Sequence, residues 1–274
     1  MSNSVHTNAS ALIALQNLNQ INDRMAATQN RISTGLKVQG AKDNSAVWAI
    51  AQNQRADFGA FEAVKTSLDR ATSVADVSLA AGESISDLII QMRQKAVAAS
   101  DPSQTAESRA AYNDDFQSLV RSVQQFADSA SFDGVNLLDN SLTAPLAFLA
   151  NADAVDTITI NPQNMTEAGL GLSTVDLLSQ ANATTALAAV DAALLTVNSA
   201  LATLGSQAKQ IETHNIFVTK LMDAIETGIG KLVDADLAKE SARLQALQVQ
   251  QQLGAQSLGI ANQAPQIILS LFRS

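Results

Sequence analysis

Between Leu187 and Leu232 the apolar residues fall at alternating steps of three and four. They are Leu187, Val190, Leu194, Val197, Leu201, Leu204, Ala208, Ile211, Val218, Met222, Ile225, Ile229 and Leu232, and Asn215 is the one polar residue on the stripe. Heptad spacing of this kind predicts one continuous helix whose apolar stripe stays against a partner. Roughly 46 residues at ~1.5 Å each make a rod of about 70 Å, longer than a small domain is wide. Other helices must therefore line it, with Leu194, Leu201, Ile211 and Met222 as its core seam. The fold class that follows is mainly α: an elongated antiparallel helical or coiled-coil bundle.

The same spacing recurs elsewhere. Phe61, Val64, Leu68, Ala71, Ala75, Ser78, Gly82, Ile85, Ile89, Met92, Ala96 and Ala99 form a second heptad stripe, on a helix expected to start near Asp43 or Asn44 and to carry Trp48. Asp101-Pro102-Ser103-Gln104 reads as the start of a third helix, with Asp101 as its cap. Its seam is Tyr112, Phe116, Leu119, Val123 and Phe126. Between Phe132 and Leu172 the period changes. Asp133-Gly134, Pro145, Asn161-Pro162, Gly169 and Gly171 are turn signals, and Thr157-Ile158-Thr159-Ile160 alternates as a strand does. A small β-hairpin region is expected at about 138–172, followed by a helix capped by Ser173 or Thr174.

The two ends of the chain share an unusual surface. Residues 3–33 predict a helix with Ala11, Leu18, Met25 and Ile32 repeating every seven and Ala14, Ile21 and Thr28 between them. Leu12 and Leu15 lie off that stripe, so one partner helix would leave apolar surface uncovered. Gly35 and Gly40 bracket a break. After Leu232 the heptad phase slips to Leu237, Leu244 and Leu258, and a second stripe appears at Leu253, Ile260 and Ile267. Residues 1–40 with 234–274 are therefore expected to pair as an inner helical domain, and 41–233 to form an outer one. Leu12, Leu15, Leu18, Ile21, Met25, Leu253, Leu258, Ile260, Ile267 and Leu271 are the candidate self-association residues. Identical surfaces meeting head to tail give an open helical polymer; the pattern by itself also admits a closed bundle or coiled-coil oligomer.

Charge and composition narrow the partners. The net charge is −9 and the pI about 4.6, which disfavours nucleic acid and anionic membrane surfaces. There is no cysteine. The first twenty residues lack a basic start and an unbroken apolar core, so no cleaved secretory signal and no membrane insertion are expected. Catalytic parts are lacking as well. His6 and His214 stand alone, Gly228-Ile229-Gly230-Lys231 lacks the spacing of a phosphate loop, and Asp234 and Asp236 do not share a helix face. Asp236 with Lys239 suits an i,i+3 surface pair, and Asn215 suits a register-setting role. No enzyme, cofactor or metal site is expected.

Several motifs then point to one family. Ser4-Val5-His6-Thr7-Asn8, Ala14-Leu15-Gln16-Asn17-Leu18-Asn19, Arg31-Ile32-Ser33-Thr34-Gly35-Leu36-Lys37 and Ala41-Lys42-Asp43-Asn44 occur in order at one end. Phe132-Asp133-Gly134-Val135-Asn136-Leu137-Leu138 follows, and Asp234-Ala235-Asp236-Leu237-Ala238-Lys239-Glu240-Ser241, Ala261-Asn262-Gln263-Ala264-Pro265-Gln266 and Leu269-Ser270-Leu271-Phe272 close the chain. Together they resemble bacterial flagellin, in the short form of the alphaproteobacteria. The resemblance implies a secreted structural subunit that self-assembles into the extracellular flagellar filament for swimming. It implies the flagellar export apparatus, a cytoplasmic export chaperone, and filament cap and hook-junction proteins as partners. A hook–filament junction protein of the same family is the nearest alternative; a coiled-coil signalling protein is a more distant one. The family's innate-receptor patch corresponds to Ile89–Val97, where Arg93 is kept and Ile90, Gln91, Gln94 and Lys95 depart from the activating pattern.

Overall fold

The computed structural model describes residues 8–271, with side chains through residue 263. The motif residues before Asn8, and the side chains of Ile267 and Leu271, lie outside the described residues. Helices α1 (Ala9–Thr34), α2 (Ser45–Ala99) and α3 (Ala106–Ser129) come first. Strands β1 (Ser131–Phe132), β2 (Val135–Asn136), β3 (Leu146–Leu149) and β4 (Thr157–Ile160) follow, then α4 (Gln180–Val233) and α5 (Leu237–Leu271). Contacts divide the chain into two compact units. One joins the chain up to Ala56 with the chain from Ala224, and the other is Asp57–Asp223.

The second unit is built on the predicted stripes. From Val64 to Ala99 every heptad position of α2 is buried, including Gly82, and on α4 the stripe from Leu187 to Met222 is buried or half-buried. Leu194, Leu201 and Met222 are half-covered and Ile211 is fully buried. At Gly82 the helices come so close that a Cβ would lie 2.8 Å from Leu201 Cδ2. Asn215 Nδ2 donates to Asp69 Oδ1 at 2.6 Å, crossing from α4 to α2 at one register only. Their side chains line a cleft of about 670 Å³ with Lys65, Ser73, Glu212 and Lys220. Part of α4 is long and apolar enough by composition to cross a bilayer. Here Val190, Ala193, Val197, Ala200 and Leu204 of that helix are core residues instead.

Both hairpins are antiparallel. β1 and β2 turn at Asp133 (φ 50°) and Gly134 (φ 75°), a left-handed pair in which glycine at the second position avoids a Cβ clash. β3 and β4 pair Leu146 with Ile160 and Leu149 with Thr157, and β4 alternates exposed and buried as its sequence predicts. His214 Nε2–H donates to the carbonyl of Ala150 (2.7 Å), and the amide of Leu149 donates to Ser67 Oγ (3.1 Å), so α4 and α2 each hold the hairpin.

Three expectations need correction. Helix α3 starts after Thr105, whose Oγ1 accepts from the amide of Ser108, rather than at Asp101. Asp101 Oδ1 instead accepts from the amide and hydroxyl of Ser103 (both 2.8 Å), a local turn that competes with helix capping. Helix α4 starts after Ser179, not Ser173 or Thr174. Those residues belong to a turn pinned by Asn113 Oδ1, which accepts from the amide of Leu177. The buried stripe of α3 is Phe116, Val120, Val123 and Ala127, and Phe126 is 39% exposed. A helix wedged among several elements buries a broader and slightly rotated face than a two-helix seam does.

Phe116→Ala should therefore destabilise the chain by about 3–5 kcal/mol, and Phe126→Ala by well under half of that, in urea unfolding followed by circular dichroism. Equal losses would restore the two-helix seam. The hydrogen bonds from Ser103 hold the Asp101 carboxyl below its ordinary value. A depressed carboxylate stabilises fully above its unfolded pKa and loses that contribution as pH falls through the folded one. Amide exchange at Ser103 should thus stay protected through the ordinary carboxylate range and rise only in stronger acid. Protection that decays already at the ordinary midpoint would contradict this.

Candidate functional site

The terminal unit is where the apolar pattern exceeds what one chain covers. Helix α1 is capped by Asn8, whose Oδ1 accepts from the amide of Ala11. It ends at Gly35, whose φ of 73° lets the chain turn away while its amide still donates to Arg31. Beyond it, the amides of Lys37 and Val38 donate to Val233 and the amide of Ala235 donates to Gly35. The two breaks in the chain thus bind each other. Beside them lies a small core of Val38, Ala51 and Val233 with Leu36, Val47, Trp48, Ile229 and Leu232. Asn44 Oδ1 caps α2 there by accepting from the amide of Val47.

Helix α5 returns antiparallel along α1. Asp236 caps it by accepting from the amide of Lys239, so these two residues form a cap and not the expected surface ion pair. The inward positions of α1 are Ala11, Ala14, Leu18, Ile21, Met25, Thr28 and Ile32, matching the sequence stripe. Those of α5 are Glu240, Leu244, Leu247, Gln251, Gly254, Leu258 and Ala261. Leu237, expected on this seam, is 49% exposed because it opens the helix before its stripe meets α1. At Gly254 an added Cβ would stand 3.4 Å from Leu18, so here the helix backbone comes close to α1.

Polar groups mark the seam along its length. Asn8 Nδ2 donates to the carbonyl of Ala261 (2.7 Å), Gln251 Nε2 donates to Asn22 Oδ1 (2.7 Å), and Arg31 meets Glu240 at 3.4 Å. Glu240 also lies 3.9 Å from Arg243 and is nearly buried. None of these partners was evident beforehand. A polar residue at a heptad position signals a cross-helix partner without naming it.

The candidate residues sort into two sets. Leu18, Ile21, Met25 and Leu258 face the intramolecular seam and are half-buried. Leu12 (59%), Leu15 (43%), Leu253 (59%) and Ile260 (70%) face away from it, joined by Ile13 and Val249, which the sequence reading passed over. Val249 sits one turn before Leu253, so the heptad could have shown it. The surroundings are nearly free of charge: from Ser241 to Gln263 the only ionisable side chain is Arg243.

Elsewhere, Ile90, Gln91, Arg93 and Gln94 are exposed on α2, and Arg93 Nε donates to Asp191 Oδ1 at 2.6 Å. Lys95 pairs with Asp115 on α3 at 2.6 Å. Among the described residues no three His, Asp or Glu side chains group as a metal site.

Residues 5–143 match the bacterial flagellin N-terminal helical region, and residues 187–272 match the bacterial flagellin C-terminal helical region. The chain is similar to flagellin FljJ of Caulobacter vibrioides, at 52% identity over 278 residues covering 100% of this chain and 99% of that one. It is similar to a flagellin of Brucella melitensis at 39% identity over 285 residues, covering 98% and 99%. Among solved structures it resembles Bacillus cereus flagellin, with a TM-score of 0.50 and 22% identity over 55% of this chain and 87% of that one. A putative flagellar hook-associated protein from Vibrio parahaemolyticus aligns with a TM-score of 0.59 and 13% identity, over 70% and 100%. The last two speak to the fold alone. With both ends matched in order and the whole length aligned to curated flagellins, the chain belongs to the bacterial flagellin family.

Proposed function

We infer that this flagellin joins its neighbours in the filament through the outward stripes of its terminal helix pair. The observation that carries the reading is the exposure of Val249, Leu253 and Ile260 on α5, and of Leu12 and Leu15 on α1, in stretches nearly free of charge. Residues 1–40 and 234–274 are then the assembling inner part. Residues 41–233, with the hairpins, are the outer part. The work is structural, with no catalytic step.

Magnitudes support growth from an end rather than pairwise association. Fully burying a branched aliphatic side chain contributes about 1.5–3 kcal/mol. Five side chains already part-covered therefore supply on the order of 5–8 kcal/mol against one neighbour. Immobilising a partner costs an estimated ~4–15 kcal/mol. One contact is marginal; a subunit held by several neighbours at a growing tip is stable.

The same surface bears on handling before assembly. A chain carrying these stripes needs them shielded, which favours a cytoplasmic export chaperone on α5 and passage through the flagellar export apparatus to the cell exterior. Cap and hook-junction proteins complete the expected set of partners. The reading as a filament flagellin is preferred over a junction protein, since full-length identity runs to flagellins while the hook-associated likeness lies in fold only.

Leu253→Asp with Ile260→Asp should leave helix content near that of the parent chain and stop elongation on sheared filament seeds. Leu18→Asp with Ile21→Asp should lose helix content, because it breaks the intramolecular seam. Electron microscopy and circular dichroism read both outcomes. Normal seeded filaments from the Leu253/Ile260 variant would overturn the proposed interface.

A further inference from the structure

Helix α5 carries two heptad stripes offset by two residues. The inward one is Leu244, Leu247, Gln251, Gly254, Leu258 and Ala261; the outward one is Ala242, Ala246, Val249, Leu253, Gln256 and Ile260. Each holds three branched aliphatics and one glutamine. Rotating α5 about its axis by roughly 200°, two residues' worth of helix, would therefore bury about as much apolar side chain against α1 as the observed packing does. Apolar burial does not decide which face α1 receives.

The polar contacts do distinguish the faces. Gln251 reaches Asn22 at 2.7 Å, whereas its counterpart two residues on, Leu253, has no polar side-chain group to offer. Glu240, two residues before Ala242 in the same register, meets Arg31 at 3.4 Å. In the rotated packing Leu253 would replace Gln251 opposite Asn22, Gln256 would take the place of Gly254, and Ala242 would replace Glu240. Asn22 and Arg31 would face groups that do not match them. A polar residue at a single seam position is known to set register and pairing at some cost in stability.

We propose that the Asn22–Gln251 hydrogen bond, seconded by Arg31–Glu240, is a face selector. It commits the Leu244/Leu247/Leu258 stripe to α1 and keeps the Val249/Leu253/Ile260 stripe free. Asn22 and Gln251 act here as positioning residues. The consequence for assembly rests on the terminal-stripe reading above; the choice of face does not.

The chain has no cysteine, so single introduced thiols report the face directly. In the full-length parent, Leu253→Cys should alkylate with iodoacetamide at least tenfold faster than Leu247→Cys, whose site is 5% exposed. Adding Asn22→Ala and Gln251→Ala, which removes the amide pair without giving the inward stripe another branched aliphatic, should bring the two rates within about threefold while circular dichroism keeps the helix content, and elongation on seeds should fall at least tenfold. Asn22→Gln with Gln251→Asn, which restores an amide pair, should return the parent ratio. Asn22→Ala alone, a milder change compatible with helix, should move the ratio the same way by less. An unchanged rate ratio in both the double-alanine and the Asn22→Ala chains overturns the selector. Equalised rates with undiminished elongation would leave the selector standing and overturn the terminal-stripe reading instead.

Discussion

An α-helix presents one face to one partner, and α5 has apolar residues for two. Helix α1 covers the face with Leu244, Leu247 and Leu258, and the face with Val249, Leu253 and Ile260 is left to solvent. Everything distinctive about the terminal unit follows from that mismatch. From Ser241 to Gln263, around the exposed stripe, Arg243 is the only ionisable side chain, so no ring of ions raises the cost of covering it. Its inner seam carries amide and ion-pair contacts that a purely apolar seam would not need.

The second unit has the opposite character. Its stripes on α2, α3 and α4 are closed against one another, and its ions are stitched across elements. Arg93 meets Asp191, Lys95 meets Asp115 and Arg70 meets Asp133. Exposed pairs like these contribute little individually. Asn215 with Asp69 joins α4 to α2 in the same way. One unit has its apolar stripes closed within itself, and the other keeps a stripe on α5 open.

Much of this was legible in the chain because long helices repeat their signal. Thirteen apolar positions on α4 and ten on α2, with Ser78 and Gly82 filling out the α2 stripe, repeat at heptad spacing, so a single misread residue changes nothing. Helix starts were harder. Asp101-Pro102-Ser103-Gln104 carries every mark of a capping sequence, yet Asp101 turns onto Ser103 and the helix waits for Thr105. Local polar residues can satisfy each other in more than one way, and only packing decides among them. The stripe of α3 was misplaced for a related reason: Val120 and Ala127 are buried where heptad spacing alone puts Leu119 and Phe126 on the seam. At the candidate interface the outward Leu12, Leu15, Leu253 and Ile260 stood out as apolar residues off a seam. The partners of Asn22, Arg31 and Asn8 did not, since the chain shows that a polar group sits on a seam but not what it meets.

The account therefore stands on what happens to one strip of α5 when subunits join. Carbene footprinting of the free chain and of sheared filaments, read by mass spectrometry, measures the covering of each side chain directly. Labelling at Val249, Leu253 and Ile260 should be high in the free chain and fall at least fivefold in the filament, while Leu247 stays low in both. Labelling of those three residues that is equally high in filament and free chain would mean that copies meet elsewhere, and that the open face of α5 has another use.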